Sequence, residues 1–163
     1  MDIRAATSID VPSIDACVTE AFKDYIPLIG KKPAPMLADY GAIIEKHFAF
    51  VAVADGLVAG VLTICDTRDD FMWMDVLAVF KKYRGLGIGK KLIEYAESFI
   101  AGKGKSECRI YTNVKFEKTI AVYRHLGYVE YQRMHEDGYD RMFFRKNVSM
   151  NKCKSNGVEH ELL

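Results

Sequence analysis

The sequence lacks long apolar runs, an excess of charge of either sign and closely spaced cysteines. No apolar stretch approaches the roughly 20 residues that a membrane-spanning helix needs, so we expect no membrane partner. Residues 1–13 lack the basic and then apolar segments of a signal peptide. The formal net charge is +1 over 163 residues, without a basic run. This balance argues against nucleic acid as a partner.

Clusters of metal-binding or disulfide-forming residues are also missing. The four cysteines, Cys17, Cys65, Cys108 and Cys153, form no CxxC pair, which argues against a disulfide framework and against a zinc site. The four histidines give no HExxH motif and no cluster with metal-ligand spacing. We therefore expect no metal, and a reducing cytoplasm as the location.

The chain does contain a regular alternation of strand and helix patterns. Half of its residues are hydrophobic, and its length suits one domain, which we assign to residues 1–147 with a polar C-terminal tail at 148–163. The predicted order is β-α-α-β-β-β-α-β-α-β-β, so the fold class is α/β, or α+β by some schemes, with a mixed sheet. "FMWMDVLAV" is largely apolar and predicts a central strand.

Turn signals divide these segments. Asp-Gly pairs at 55–56 and 137–138 lie between strand-like runs and predict two hairpins. Residues 25–38 hold three of the four prolines and predict an irregular segment or lid. Asp10 is expected to cap the first helix, with Pro12 in its first turn.

A glycine-rich stretch, "YRGLGIGKKL" at residues 83–92, joins the central strand to an amphipathic helix. Free N–H groups at a helix N-terminus bind anions, and glycine lets phosphate oxygens approach the backbone closely. The spacing is not the GxGxxG of a dinucleotide fold. It is not a Walker loop either, because Arg84 stands at the first glycine position and Lys91 stands where a hydroxyl is needed.

The hexapeptide "RGLGIG" at residues 84–89 follows the pattern R/Q-x-x-G-x-G/A. It resembles the signature of the GNAT superfamily of N-acetyltransferases, whose members cradle the pyrophosphate of acetyl-CoA on this loop. "LAV" before it, "KKLIEYAE" after it and "AVYRHLGY" about 30 residues later extend the resemblance over roughly residues 2–147. The resemblance implies a mixed, mostly antiparallel central sheet flanked by helices.

The resemblance also implies an activity. It is acetyl transfer from acetyl-CoA, as co-substrate, to a primary amine of a small molecule or peptide by direct attack. The alternative is a non-catalytic module that binds or senses acyl-CoA. The oligomeric state is open, with a homodimer as one option. The implied cofactor-binding residues are the main chain of the strand and the loop with its first lysine: Leu77, Ala78, Val79, Arg84, Gly85, Leu86, Gly87, Ile88, Gly89 and Lys90.

Two residues are candidates for proton transfer. Tyr123 matches the tyrosine that superfamily members aim at the CoA sulfur, although it shares a helix face with Ile120 and can equally be a core aromatic. Asp75, on the central strand, is the best candidate for the general base by position. The alternatives are that Asp75 is a hydrogen-bonded aspartate with a structural role at the strand end, or that water relays the proton. A proton donor helps a thiolate of pKa about 8.5 to leave, and a base helps to neutralise an attacking amine.

The sequence departs from the commoner family pattern at one point. Many relatives carry an asparagine seven residues before the tyrosine, where this chain has Phe116. We therefore assign further cofactor contacts to Asn113, which precedes the helix, and to Thr119 within it.

The resemblance places the acceptor pocket along segment 25–40, the 67–71 loop and the closing hairpin. Aromatic and acidic side chains in these regions suit a cationic amine, but they suit a solvated loop equally well. They are Tyr25, Asp39, Tyr40, Asp70, Glu136, Asp137 and Tyr139.

Overall fold

The computed structural model describes residues 1–149, so most of the tail expected at 148–163 lies outside the described residues. The helices are α1 (Val11–Phe22), α2 (Ile26–Ile29), α3 (Tyr40–Lys46), α4 (Ile88–Gly102) and α5 (Glu117–His125). The strands are β1 (Asp2–Ala5), β2 (Phe48–Ala54), β3 (Leu57–Asp66), β4 (Phe71–Val79), β5 (Glu107–Asn113), β6 (Val129–Glu136) and β7 (Tyr139–Asn147).

The strands form a seven-stranded sheet in the order β1-β2-β3-β4-β5-β7-β6. The pairs β1–β2, β2–β3, β5–β7 and β6–β7 are antiparallel. β4 pairs with β5 in parallel, from Phe71 opposite Glu107 to Trp73 opposite Arg109. The mixed sheet, the central place of β4 and the predicted order of strands and longer helices are confirmed, and the short helix α2 is an addition to that order.

The chain divides into two compact units. Unit 1 comprises residues 1–65 and 74–95, and unit 2 comprises residues 66–73 and, within the described chain, 96–149. In unit 1, Ile14, Cys17 and Val18 of α1 are buried against Val51 and Val61 of the sheet. These contacts form the apolar core under β2 and β3.

Unit 2 has a core of its own. Ile100 of α4, Cys108 and Ile110 of β5, and Phe144 of β7 are almost completely buried. Tyr128 is buried with them, and its hydroxyl lies 3.0 Å from Glu97 Oε1 and 3.3 Å from Cys108 Sγ. The buried Tyr128 hydroxyl and Glu97 carboxylate therefore satisfy each other within this core, as burial requires.

Both predicted hairpin turns are present. Asp55 and Gly56 have φ of +52° and +76°, and Asp137 and Gly138 have φ of +53° and +78°. Two successive left-handed residues give the tight turn whose twist matches the flanking strands. Asp-Gly pairs tolerate this conformation because glycine has no Cβ and aspartate adopts it at low cost.

Three details differ from the expectations. Segment 25–38 is not wholly irregular, since it contains α2. Asp10 precedes α1 but its side chain does not cap that helix; it accepts the Thr7 N–H at 2.8 Å and pairs with Arg4. Val148, assigned to the tail, is buried, and its N–H donates to the Ser106 carbonyl at 2.7 Å.

Within residues 1–149, none of the helices combines the length and the apolarity needed to cross a bilayer.

Candidate functional site

The glycine loop of unit 1 needs glycine for conformational reasons. β4 ends at Val79, and a short 3-10 turn follows, in which Arg84 N–H donates to the Lys81 carbonyl at 3.1 Å. Gly85 and Gly87 then adopt φ of +80° and +78°. A side chain in this region costs about 1–2 kcal/mol, so both positions favour glycine.

The surface of this loop is open. A Cβ placed on Gly85 or Gly87 would meet no other heavy atom within 4 Å. Gly89 is different, because it lies within α4 and its Cβ would be 3.8 Å from Val79 Cγ2. The space above the two left-handed glycines is therefore available to phosphate oxygens.

The start of α4 supplies donors to this space. Lys91 N–H makes the first helical hydrogen bond, to the Gly87 carbonyl at 3.0 Å. The N–H groups of Ile88, Gly89 and Lys90 precede that bond, so helix geometry leaves them without an intrahelical partner. Together with the positive end of the helix dipole, they fit a pyrophosphate.

The basic residues around the loop differ in whether a carboxylate pairs with them. Lys81 pairs with α1 and the turn after it, because its N–H donates to Glu20 Oε1 of α1 at 2.7 Å and its Nζ lies 2.7 Å from Asp24 of the turn. Lys90 is 3.9 Å from Glu94 in an exposed i,i+4 pair, which binds weakly. Arg84 is exposed beside the glycines. The charges of Arg84 and Lys90 are therefore less compensated than that of Lys81.

Two residues that the sequence analysis did not single out hold β4 and α4 in place. A Cβ on Gly60 of β3 would lie 2.9 Å from Leu92 Cδ1 and 3.1 Å from the Ala78 carbonyl oxygen, so glycine favours this close approach of α4. The buried Thr63 Oγ1 accepts the Val76 N–H at 3.0 Å. A glycine inside an apolar strand signals such an approach, whereas nothing in the sequence marks Thr63.

Next to this hydrogen bond, β4 presents the residues expected to carry the pantetheine arm. Ala78 is buried, and Leu77 and Val79 are half-buried. Asp75, on the same strand, is also half-buried. Burial, and secondarily the charge of Asp75, raises the pKa of Cys65 to about 11 and raises the pKa of Tyr40.

Unit 2 contains the remaining candidates. Tyr123 of α5 is 8% exposed, and its ring centroid lies 5.8 Å from that of Tyr128 and 6.4 Å from that of Phe144. Asn113 Oδ1 accepts the Lys115 N–H at 3.0 Å, which stabilises the turn before α5. Thr119 is half-buried on that helix.

Several residues expected around the acceptor have structural partners instead. Asp39 caps α3 by accepting the Ala42 N–H at 3.0 Å, and the buried Tyr40 donates to the Pro35 carbonyl at 2.7 Å. Asp70 Oδ1 accepts the Ser106 N–H at 3.1 Å. Among the described residues, no group of three or more His, Cys, Asp or Glu side chains could hold a metal ion.

The chain was compared with known proteins. Residues 45–130 match the family described as "Acetyltransferase (GNAT) domain". N-alpha-acetyltransferase 30 of Schizosaccharomyces pombe is 32% identical, over 69% of this chain and 81% of that protein.

Solved structures show the same fold. The ribosomal-protein-S18-alanine N-acetyltransferase of Escherichia coli has a TM-score of 0.73 at 18% identity, covering 91% of this chain and 94% of that one. The PaiA N-acetyltransferase of Thermoplasma acidophilum, solved with coenzyme A, has a TM-score of 0.73 at 19% identity, covering 90% and 98%. With the open glycine loop at the start of α4, these matches show that the chain belongs to the GNAT acetyltransferase family.

Proposed function

We propose that this protein transfers the acetyl group of acetyl-CoA directly to a primary amine of a small molecule or peptide. The observation that carries the proposal is the glycine loop, whose two left-handed glycines leave open space beside the first N–H groups of α4, which have no intrahelical partner. Family membership makes the chain an acyltransferase, and the loop is built for the phosphates of the acyl donor.

The loop and β4 would position the donor. The N–H groups of Ile88, Gly89 and Lys90 bind the pyrophosphate, and Arg84 adds charge. The main chain of Leu77, Ala78 and Val79 binds the pantetheine arm as an added strand would. Holding the thioester in one place removes much of the entropic cost of the reaction.

Two side chains would move protons. The amine nitrogen attacks the thioester carbonyl, the C–S bond breaks, and the departing thiolate needs a proton. Tyr123 supplies that proton, while Asp75 accepts the one that the amine loses, directly or through water. Asn113 and Thr119 are proposed as minor cofactor contacts. Because Asn113 Oδ1 already accepts the Lys115 N–H, Asn113 would contact the cofactor through its other polar atoms.

Peptides with a free N-terminus are the first acceptors to test. The fission yeast relative is named an N-alpha-acetyltransferase, and the E. coli structure is named for an alanine of a ribosomal protein. We place the activity in the cytoplasm, in keeping with the free thiols of Cys17, Cys65 and Cys108.

The test is a panel of amines incubated with acetyl-CoA, with acetylated product measured by mass spectrometry. Peptide N-termini, amino acids, polyamines and amino sugars form the panel. Acetylation of at least one member, lost in Gly87→Ala, supports the proposal. Tight binding of acetyl-CoA with no acetylated product from any member would instead identify a non-catalytic acyl-CoA-binding module.

A further inference from the structure

β3 contains a buried polar side chain, Thr63, between the apolar residues Leu62 and Ile64. Thr63 is completely buried, and its Oγ1 accepts the Val76 N–H of β4 at 3.0 Å. A hydroxyl is costly to bury unless it is hydrogen-bonded, so this contact matters to the fold of unit 1. A strand ladder ordinarily uses main-chain carbonyls as acceptors, whereas here a side chain takes part. Replacing Thr63 can therefore change how β4 is held without changing the sequence of β4.

A second hydrogen bond fixes the register of the two strands around this contact. The Phe80 N–H, directly after β4, donates to the Ala59 carbonyl of β3 at 3.0 Å. β3 and β4 are neighbours joined by a short loop, so they run antiparallel. Counting equally along both strands from this pair places Val76 opposite Thr63. Burial alternates without interruption from Phe71 to Val79, so no bulge disturbs the register along β4.

The main-chain groups of a strand point alternately to its two edges. Because the N–H groups of Val76 and Phe80 both point toward β3, the residue midway between them, Ala78, points the same way. In agreement, the Ala78 carbonyl oxygen would lie only 3.1 Å from a Cβ on Gly60 of β3. The residues on either side of Ala78 therefore direct their N–H and C=O groups to the opposite edge of β4.

That opposite edge is the one to which a strand-like ligand could add. Among residues 1–149, no strand pairs with Leu77 or Val79 there, since the ladder with β5 extends from Phe71 to Trp73. A ligand that binds as an added strand hydrogen-bonds to main-chain groups that point toward it. Of the three residues assigned to the pantetheine arm, Leu77 and Val79 meet this requirement and Ala78 does not.

We propose that Thr63 is a positioning residue for the acyl donor. Its hydroxyl holds the Val76 N–H toward β3, and this fixes the direction in which Leu77 and Val79 present their main-chain groups to the pantetheine arm. This role rests on the acetyl transfer proposed above and goes beyond it, because Thr63 acts through Val76 and does not itself touch the donor. Since catalysis by positioning depends on where the thioester is held, a small rotation of β4 would be felt at the donor.

Amide hydrogen exchange, followed residue by residue by NMR on the full-length protein with and without acetyl-CoA, tests this role. In the wild type the Ala78 amide should be protected before the ligand is added, because it points toward β3. The Leu77 and Val79 amides should gain protection only with acetyl-CoA. The amides of Ile88 and Gly89 should gain protection as well, and they report binding at the loop. Gain of protection at Ala78 in place of its two neighbours would overturn the proposal without any variant.

Two substitutions separate the hydroxyl of Thr63 from its shape. Thr63→Val removes the acceptor and keeps the branched side chain. We expect it to abolish the gain of protection at Leu77 and Val79 and to lower the acetyl-CoA affinity, measured by calorimetry, about tenfold. Thr63→Ser keeps the hydroxyl and should retain both. Thr67→Val is the matched control, because the Thr67 hydroxyl also bonds to the main chain of β4, donating to the Phe71 carbonyl, and it should leave donor binding unchanged.

Failure of this role is distinguishable from failure of the proposed function. If Thr63→Val kept wild-type protection at Leu77 and Val79, the donor would bind but Thr63 would not position it. An equal loss in Thr63→Val and Thr63→Ser would assign the effect to packing rather than to the hydroxyl, and would also overturn the proposal. If acetyl-CoA protected neither the loop nor β4 in the wild type, the assignment of the donor would fail, and the role of Thr63 with it.

Discussion

Tyr123 and Tyr128 are neighbouring buried tyrosines, with ring centroids 5.8 Å apart. Tyr128 donates to the buried Glu97, which Lys146 also contacts at 2.9 Å. Its role is therefore structural. Tyr123 is the proposed acid, so the two rings form a matched pair for mutagenesis.

Tyr123→Phe removes only the hydroxyl and keeps the ring, so it tests proton donation without changing how the ring packs. In Tyr123→Phe we expect unchanged folding and acetyl-CoA affinity, and a fall in kcat of about 10²-fold, because a positioned acid contributes about 10²–10⁴-fold. Steady-state kinetics on an acceptor from the panel measures it. Tyr128→Phe, the control, should lower stability by about 1–3 kcal/mol, since it removes a partner of buried Glu97, and should leave kcat nearly unchanged. A normal kcat in Tyr123→Phe, with chemistry rate-limiting, would show that this hydroxyl is not the acid.

Asp10 is a buried carboxylate whose charge stabilises unit 1. Hydrogen bonds from Arg4, at 2.8 and 2.9 Å, hold its pKa below the usual value, and the Thr7 N–H adds to this. The folded-state pKa is depressed, so this stabilisation is complete above the unfolded pKa of about 3.9 and is lost as pH falls through the lower folded value.

Asp10→Asn should therefore lower the free energy of unfolding by about 1–3 kcal/mol at neutral pH. The deficit should shrink once the pH is lowered below about 4. Urea unfolding at a series of pH values measures both effects. Asp24→Asn, which removes an exposed partner of Lys81, is the control and should change stability little. A deficit independent of pH would show that the charge of Asp10 is not what stabilises the fold.

At the scale of elements, the loop before α4 contains glycines with positive φ and has open space above them. Gly87→Ala adds a Cβ to the proposed phosphate space and places it at a φ of +78°. We expect the affinity for acetyl-CoA to fall at least about tenfold, which corresponds to about 1.4 kcal/mol. Calorimetric titration measures the change.

Two controls separate strain from steric blockage in that experiment. Gly56→Ala has nearly the same φ, +76°, and the same empty surroundings, but lies in the β2–β3 turn. Gly89→Ala changes the first turn of α4, next to the loop. Its Cβ would lie an ordinary 3.8 Å from Val79 Cγ2, and alanine favours a helix. Both should bind acetyl-CoA almost normally. If Gly56→Ala were impaired as much as Gly87→Ala, backbone strain rather than the phosphate site would explain the result.

At the scale of the whole molecule, binding of the acyl donor should raise the free energy of unfolding. A ligand present at 100 times its Kd stabilises a fold by about 2.7 kcal/mol. For a chain of 163 residues, each kcal/mol raises Tm by about 2–4 °C, so acetyl-CoA should raise Tm by roughly 5–10 °C. ATP and NAD at equal concentration should not, because the loop has neither Walker nor dinucleotide spacing. An equal shift with ATP would contradict the assignment of the donor.

The sequence by itself determined the features that depend on residues close together in the chain. The order of the strands and of the four longer helices, the turns at Asp55 and Asp137, and the glycine loop between β4 and α4 were predicted and are present, whereas the short α2 was missed. Backbone conformation, helix periodicity and turn chemistry act over a few residues, so they leave a pattern that can be read directly. Family membership was also predicted from such local motifs and is confirmed.

The tertiary structure decided what depends on residues far apart. The partner of Asp10 is Arg4 rather than the end of α1, and Thr63 satisfies Val76 on the next strand. The residues that line a pocket in unit 2 come from four strands, and the β5–β7 register sets Arg109 opposite Arg145. A shift of one residue in that register would turn one arginine to the other face of the sheet. Such pairings follow from how the strands align, and no spacing along the chain records them.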